Sequence, residues 1–297
     1  TIPYKRTESM KVHLVLATSR NDTVRIFTAL TTETVENARK IHDSWPTATA
    51  AMGRVLTGTL ITGVMSDNPY RLTVKFSGDG PLGTVIAVSN RRGEVKGYVD
   101  NPHVDLSLNR LGKLDVGAAV GSGTLTVVKD YGLKNPYHGV VPLQNGEVAT
   151  DFAYYFAKSE QTPSAVSLGV LVEPDGTVKA AGGLIIQLMP GAPEEKIQSI
   201  EEKLNQLPPI TTILNSGVTP AGIISEITGP TGVKILEEID LKYRCDCSRE
   251  RFLGPLLSID RSELEEVFKE QGQVEVRCHF CNQYYHYEPS ELKVDQK

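Results

Sequence analysis

All four cysteines of this 297-residue chain fall in its last 53 positions. Cys245 and Cys247 lie in "YRCDCSRERF", and Cys278 and Cys281 in "EVRCHFCNQYY". The region that holds them, residues 241–297, is polar and only about 57 residues long, too small for a secure core without a staple. The spacing is C-x-C, thirty residues, then C-x-x-C. Four thiolates complete a closed tetrahedral site for Zn²⁺, and C-x-x-C is a common metal-knuckle spacing. One Zn²⁺ on Cys245, Cys247, Cys278 and Cys281 is therefore the expected staple. Two disulfides or four unrelated core thiols are the alternatives; a reducing compartment disfavours the first and the clustering disfavours the second. His279 and His286 stand in reserve, but four cysteines already fill such a site.

The neighbours of these cysteines are basic. Arg244 and Arg249 flank the first pair, Arg251 follows, and Arg277 and His279 adjoin Cys278. Positive charge favours thiolate, the form that peroxide attacks. The plainer explanation of the arginines is a solvated surface. If one thiolate is oxidised, the rest hold a metal poorly and close neighbours can pair as disulfides. Metal-binding energy in such modules is folding energy, on the order of 10–16 kcal/mol, so losing the metal is expected to unfold the module.

The rest of the chain reads as an α+β fold. "RLTVKFSG", "GTVIAVSN", "GEVKGYVD" and "GTLTVVKD" are short strands bounded by turn residues. "SAVSLGVLVEPDGTVKAAGGLIIQLMPG" predicts two strands around a turn at Pro174, Asp175 and Gly176. Helices are expected over 32–42 and about 46–65, while "DFAYYFAKSEQ" fits a helix or an aromatic strand equally. The run "PTATAAMGRVLTGTLITGVM" is long enough for a bilayer but too rich in Thr, Gly and Arg54, so it predicts a buried helix of small residues.

Composition changes after Gly191. "GAPEEKIQSIEEKLNQLPP" predicts a helix with Ile197, Ile200, Leu204 and Leu207 on one face and a Pro-Pro stop. The following stretch to residue 240 has short helical patterns broken at Gly217, Gly229, Pro230 and Gly232. It carries Ile223, Ile224 and Ile227 and many β-branched residues, which are mediocre helix formers. It is expected to be either an ordinary helical connector or a marginally stable segment that melts when a neighbour changes. In the last module, Asp260 or Ser262 is expected to cap a helix with Leu264, Val267 and Phe268 inside, ending at Gly272.

These residues resemble the redox-regulated chaperones of the heat-shock protein 33 family. The two cysteine pairs are similar to that family's redox switch. "WPTATAAMGR" (45–54), "LTVKFSGDGPLG" (72–83), "GTLTVVKD" (123–130) and "AGGLIIQLMPG" (181–191) are similar to further family signatures. The likeness runs from about Met10 to Glu291; residues 1–9 lie outside it and carry no assignment. It implies a core domain over 10–191, a metastable helical linker over 192–240, and a zinc-binding redox-switch domain over 241–297. It implies an ATP-independent holdase of the stress response, inactive when reduced and zinc-bound. Oxidation would form the disulfides Cys245–Cys247 and Cys278–Cys281, release zinc, unfold the linker, and produce a homodimer that binds unfolding client proteins. Ile197, Ile200, Leu204, Leu207, Ile223, Ile224 and Ile227 are the candidate client or linker faces, although packing explains them equally well.

Other functions are weaker fits. A net charge of −5 and the lack of a basic aromatic platform argue against nucleic-acid binding by a constitutive zinc module. No G-x-S-x-G, H-E-x-x-H or P-loop pattern appears, "GSGTLTVVKD" reads as a turn into a strand, and His42, Asp43 and Ser44 are merely adjacent. Cys278 and Cys281 have a redox spacing but do not open a helix after a strand, as a thiol oxidoreductase needs. The chain is thus expected not to be an enzyme. "TIPYKRTESM" lacks an apolar signal core, and no membrane span is expected, so the expected location is the cytoplasm.

Overall fold

Alternating burial along the first two strands sets the plan of the larger unit. In β1 (His13–Ser19) and β2 (Val24–Leu30), Leu14, Phe27 and Ala29 face one core while Val15, Ala17, Val24 and Ile26 face another. Successive side chains of a strand point to opposite faces, so this sheet is covered on both sides. The computed structural model describes residues 13–20, 22–65, 71–192, 194–229 and 232–292. The unassigned segment 1–9 and the side chain of Ile197 lie outside the described residues.

The chain divides into two compact units, one ending at Tyr243 and one beginning at Arg244. In the first, α1 (Thr32–His42) and α2 (Pro46–Met65) precede β3 (Arg71–Gly78), β4 (Thr84–Ser89) and β5 (Glu94–Val99). Next come α3 (Val116–Val120), β6 (Gly123–Asp130), β7 (Tyr137–Pro142) and α4 (Ala149–Lys158). The unit continues with β8 (Ser164–Val172), β9 (Val178–Leu188), α5 (Glu194–Gln206), α6 (Ile210–Asn215) and α7 (Pro220–Thr228). It closes with β10 (Val233–Asp240) and β11 (Lys242–Tyr243). One sheet has the order β10-β1-β2-β9-β8 and the other β11-β5-β4-β3-β6-β7. The α+β reading holds, and "DFAYYFAKSEQ" takes the helical option as α4.

The helix α2 touches strands of both sheets and is buried nearly throughout, with Arg54 paired at 2.6 Å to Glu147. Its threonines solve the problem of burying hydroxyls in a core. Thr57, Thr59 and Thr62 donate to the carbonyls of Gly53, Val55 and Gly58 at 2.6–2.8 Å, one turn back. Gly58 is needed for space: a Cβ there would lie 2.4 Å from the ring of Phe152. Phe152 is itself fully buried and packed against Phe76 and Phe156. Gly58→Ala is therefore expected to destabilise the unit by about 1–3 kcal/mol in urea titration, as overpacking does. Helix propensity alone predicts the opposite sign, so a stabilised variant would refute this account.

The segment 192–240 differs from expectation. Its helical part ends at Thr228, and Val233–Asp240 is a strand pairing antiparallel with β1 from His13↔Asp240 to Ser19↔Val233. Ile235, Leu236 and Ile239 have a helix-compatible spacing, but the free edge of β1 offers backbone partners that a helix there would leave unused. The helices themselves cover the outer face of the first sheet. Ile200, Ile210, Ile213, Leu214, Ile223, Ile224 and Ile227 are buried against it, with Leu204 and Leu207 half-buried. Thr219 caps α7 by accepting from the Gly222 amide, Pro220 opens it, and Gly229 ends it at φ 79°. α6 has 6 residues and α7 has 9, shorter than the roughly 12–15 at which isolated helices become even marginally stable. Packing on the sheet is what holds them.

The end of the first unit is pinned. β11 pairs with β5, and the Tyr243 hydroxyl donates to the Gly97 carbonyl at 2.7 Å. The unit boundary therefore falls after Tyr243, two residues before Cys245, and not at 241. No helix among the described residues is long and apolar enough to cross a membrane.

Candidate metal and redox centre

The second unit builds its site from two short strands and a helix start. β12 (Val274–Arg277) and β13 (Tyr284–Tyr287) pair antiparallel, with Arg277 opposite Tyr284. The six residues between them turn back sharply: the Cys278 amide donates to the Gln283 carbonyl and the Asn282 amide to the Cys278 carbonyl, at 2.9 and 2.8 Å. Asn282 takes the left-handed conformation, φ 58°, which asparagine tolerates better than most residues. This turn presents Cys278 and Cys281. Cys245 and Cys247 sit just before α8 (Arg249–Leu256), whose N-cap Ser248 accepts from the Arg251 amide. α9 (Arg261–Gln271) follows, capped by Asp260 and stopped by Gly272, as its sequence suggests. Apart from Cys278, the buried apolar side chains among the described residues of this unit are Leu256, Leu264, Val274, Tyr287 and Leu292.

The four sulfurs lie within 4.8 Å of one another. Cys245 and Cys278 approach to 3.7 Å, and Cys247 and Cys281 to 3.3 Å. A tetrahedral Zn–S₄ centre with bonds of about 2.3 Å has S···S edges of about 3.8 Å. The cluster fits such a centre in donor type, number and spacing. No other group of metal-ligating side chains forms among the described residues. His286 is instead 3.6 Å from Glu275.

Hydrogen bonds distinguish the thiols. Burial pushes Cys245 well up and Cys281 up to about 11, though each sulfur accepts a backbone amide, from Cys247 and Gln283 respectively. Burial also raises Cys247, but the Tyr285 hydroxyl at 3.1 Å and the neighbouring thiols outweigh it, so Cys247 sits below the ordinary thiol value. The bond to Cys247 in turn pushes the Tyr285 phenol up.

Three of the arginines singled out by charge, Arg249, Arg251 and Arg277, have carboxylate, carbonyl or aromatic partners. Arg249 grips both carboxylate oxygens of Glu291 at 2.6–2.7 Å and lies over the Tyr287 ring, whose hydroxyl donates to the Arg249 carbonyl. The Arg251 guanidinium donates to both the carboxylate and the backbone carbonyl of Asp246. Arg277 bonds Asn282 and faces the Tyr284 ring. Their visible work is to brace the unit. Tyr285, whose hydroxyl lies 3.1 Å from Cys247 Sγ, is a side chain that sequence reasoning passed over; its partner lies 38 residues away.

The chain thus combines a cysteine-free α+β unit with a small module in which four thiols converge. Residues 13–288 match the family described as Hsp33 protein. The chain is 49% identical over 282 residues to a 33 kDa chaperonin of Geobacillus kaustophilus, covering 95% of this chain and 96% of the relative. It is 46% identical over 283 residues to one of Staphylococcus aureus, covering 95% and 97%. The crystal structure of the 33 kDa chaperonin (heat shock protein 33 homolog) of Thermotoga maritima superposes with a TM-score of 0.89 at 40% identity, over 95% of this chain and 97% of that one. The chain belongs to the Hsp33 protein family.

Proposed function

We propose that this protein is a redox-switched, ATP-independent holdase chaperone and not an enzyme. The observation that carries the reading is the convergence of all four cysteines within 4.8 Å in a unit with little other core. One Zn²⁺ bound by Cys245, Cys247, Cys278 and Cys281 would supply a crosslink that folds residues 244–292 and holds the sulfurs as restrained thiolates. Oxidation proceeds on the chain's own sulfurs. A thiolate attacks a peroxide, forming an S–O bond, breaking the O–O bond and releasing hydroxide. A second thiol then displaces the sulfenic oxygen as water, leaving a disulfide and a peroxide reduced by two electrons. Two such events yield Cys245–Cys247 and Cys278–Cys281. All four sulfurs are mutually near, so closeness does not choose the pairing; the likeness of the two cysteine pairs to the family's redox switch is what assigns these partners. With both pairs closed, no thiolate remains to hold a metal.

The downstream response draws on α5 to α7. These helices depend on packing, and their melting bares Ile200, Leu204, Leu207, Ile223, Ile224 and Ile227, together with the sheet residues beneath them, as an apolar surface for unfolding clients. Ile197 is assigned to the same face by its place in the sequence. The active form is a homodimer, and the reduced state belongs to a reducing compartment such as the cytoplasm. The test is light scattering from a thermally unfolding client with the reduced protein and with protein treated with peroxide at mild heat. Suppression only after oxidation is expected; equal suppression in both states, or none in either, contradicts the switch.

A further inference from the structure

We infer that Tyr285 is a positioning residue of the thiol centre: its hydroxyl donates to Cys247 Sγ and restrains that sulfur, slowing both metal loss and oxidation. The inference rests on the metal-binding reading above. The hydroxyl oxygen lies 3.1 Å from Cys247 Sγ. A thiolate that ligates a metal carries no proton, so in that state the hydroxyl is necessarily the donor. Two observations show that the phenol is held in place. Tyr285 sits on β13, paired with Val276 of β12 in the strand that follows the Cys278–Cys281 turn. Its ring packs on Phe252 of α8, centroids 5.3 Å apart, and α8 starts two residues after Cys247. The aromatic pair thus joins the two halves of the cysteine constellation at Cys247, whose sulfur has the Tyr285 hydroxyl beside it.

The backbone supplies donors to Cys245 and Cys281 from Cys247 and Gln283, bonds that no substitution of a side chain removes. The donor to Cys247 is a side chain and therefore adjustable. A hydrogen bond to a ligating sulfur draws electron density from its lone pairs, which makes it a weaker nucleophile toward peroxide. It also fixes the direction in which the sulfur points. Outer partners of metal ligands typically matter by 10–100-fold in metal affinity.

Tyr285→Phe keeps the ring against Phe252 and removes only the donor. Tyr284→Phe, on the neighbouring exposed ring that faces Arg277, is the control. Co²⁺ is titrated into the reduced full-length proteins, then peroxide is added and metal release and alkylation of Cys247 are followed. Tyr285→Phe is expected to bind Co²⁺ about tenfold more weakly. Its sulfur-to-cobalt charge-transfer band is expected at longer wavelength, and its metal is expected to leave faster under peroxide, with Cys247 consumed earlier. Tyr284→Phe is expected to match the parent in all three. Stoichiometric Co²⁺ uptake by Tyr285→Phe reports that the unit still folds. An affinity, spectrum and release rate equal to the parent's overturn the role of Tyr285 while leaving the metal site intact. A parent protein that takes up no Co²⁺ overturns the metal-binding reading and this inference with it.

Discussion

Chelation of the metal, or Cys278→Ser, is expected to unfold residues 244–292 while leaving the two sheets of the first unit folded. Cys278 is the most buried of the four sulfurs, and serine replaces a thiolate with a hydroxyl that does not ionise at neutral pH. The unit has little else to hold it. Among its described residues, five buried apolar side chains besides Cys278, two strands of four residues each and the Arg249–Glu291 clamp make a core below what some fifty residues need. A structural tetrathiolate supplies on the order of 10–16 kcal/mol, far more than exposed ion pairs can replace. Amide hydrogen exchange reads the result directly: amides of α9, β12 and β13 are expected to lose protection on chelation, whereas those of β1, β2 and β9 keep theirs. Sustained protection of α9 without metal would show that the cysteines are dispensable for folding.

Ile224→Asp is expected to free the helical cover of the first sheet in the reduced protein. Ile224 is 1% exposed and faces the outer side of that sheet with Ile223 and Ile227. Losing its burial and placing a carboxylate there costs at least about 4 kcal/mol. A helix of nine residues has no such reserve of its own. Two outcomes are expected together: protease cleavage within residues 194–228, and suppression of client aggregation without peroxide. Cleavage without holding activity would mean that the apolar face under these helices is not where clients bind.

What could be read from the sequence is what local spacing encodes. The convergence of the four cysteines was legible because C-x-C and C-x-x-C each bring two sulfurs together within a few residues, and α1, α2 and the Pro174–Gly176 hairpin were legible from period and turn residues. β10 was not, because Ile235, Leu236 and Ile239 suit a helix until β1, at the far end of the unit, supplies an edge to pair with. The same limit hid Tyr285, whose meaning depends on Cys247 being brought beside it by two separate elements. Charge near the cysteines suggested that arginines activate them. The geometry turns the guanidinium groups of Arg249, Arg251 and Arg277 to Glu291, Asp246 and Asn282, and sets the neutral hydroxyl of Tyr285 beside Cys247.

The central claim is that oxidation of four thiols and the gain of client holding are one event. Metal content, free thiols and suppression of client aggregation, measured on the same samples through a peroxide time course, test it most directly. The account predicts one zinc and four thiols at the start, both falling to none, with holding activity rising as they fall. Holding activity that appears while zinc and all four thiols remain, or that never appears after they are gone, would contradict it.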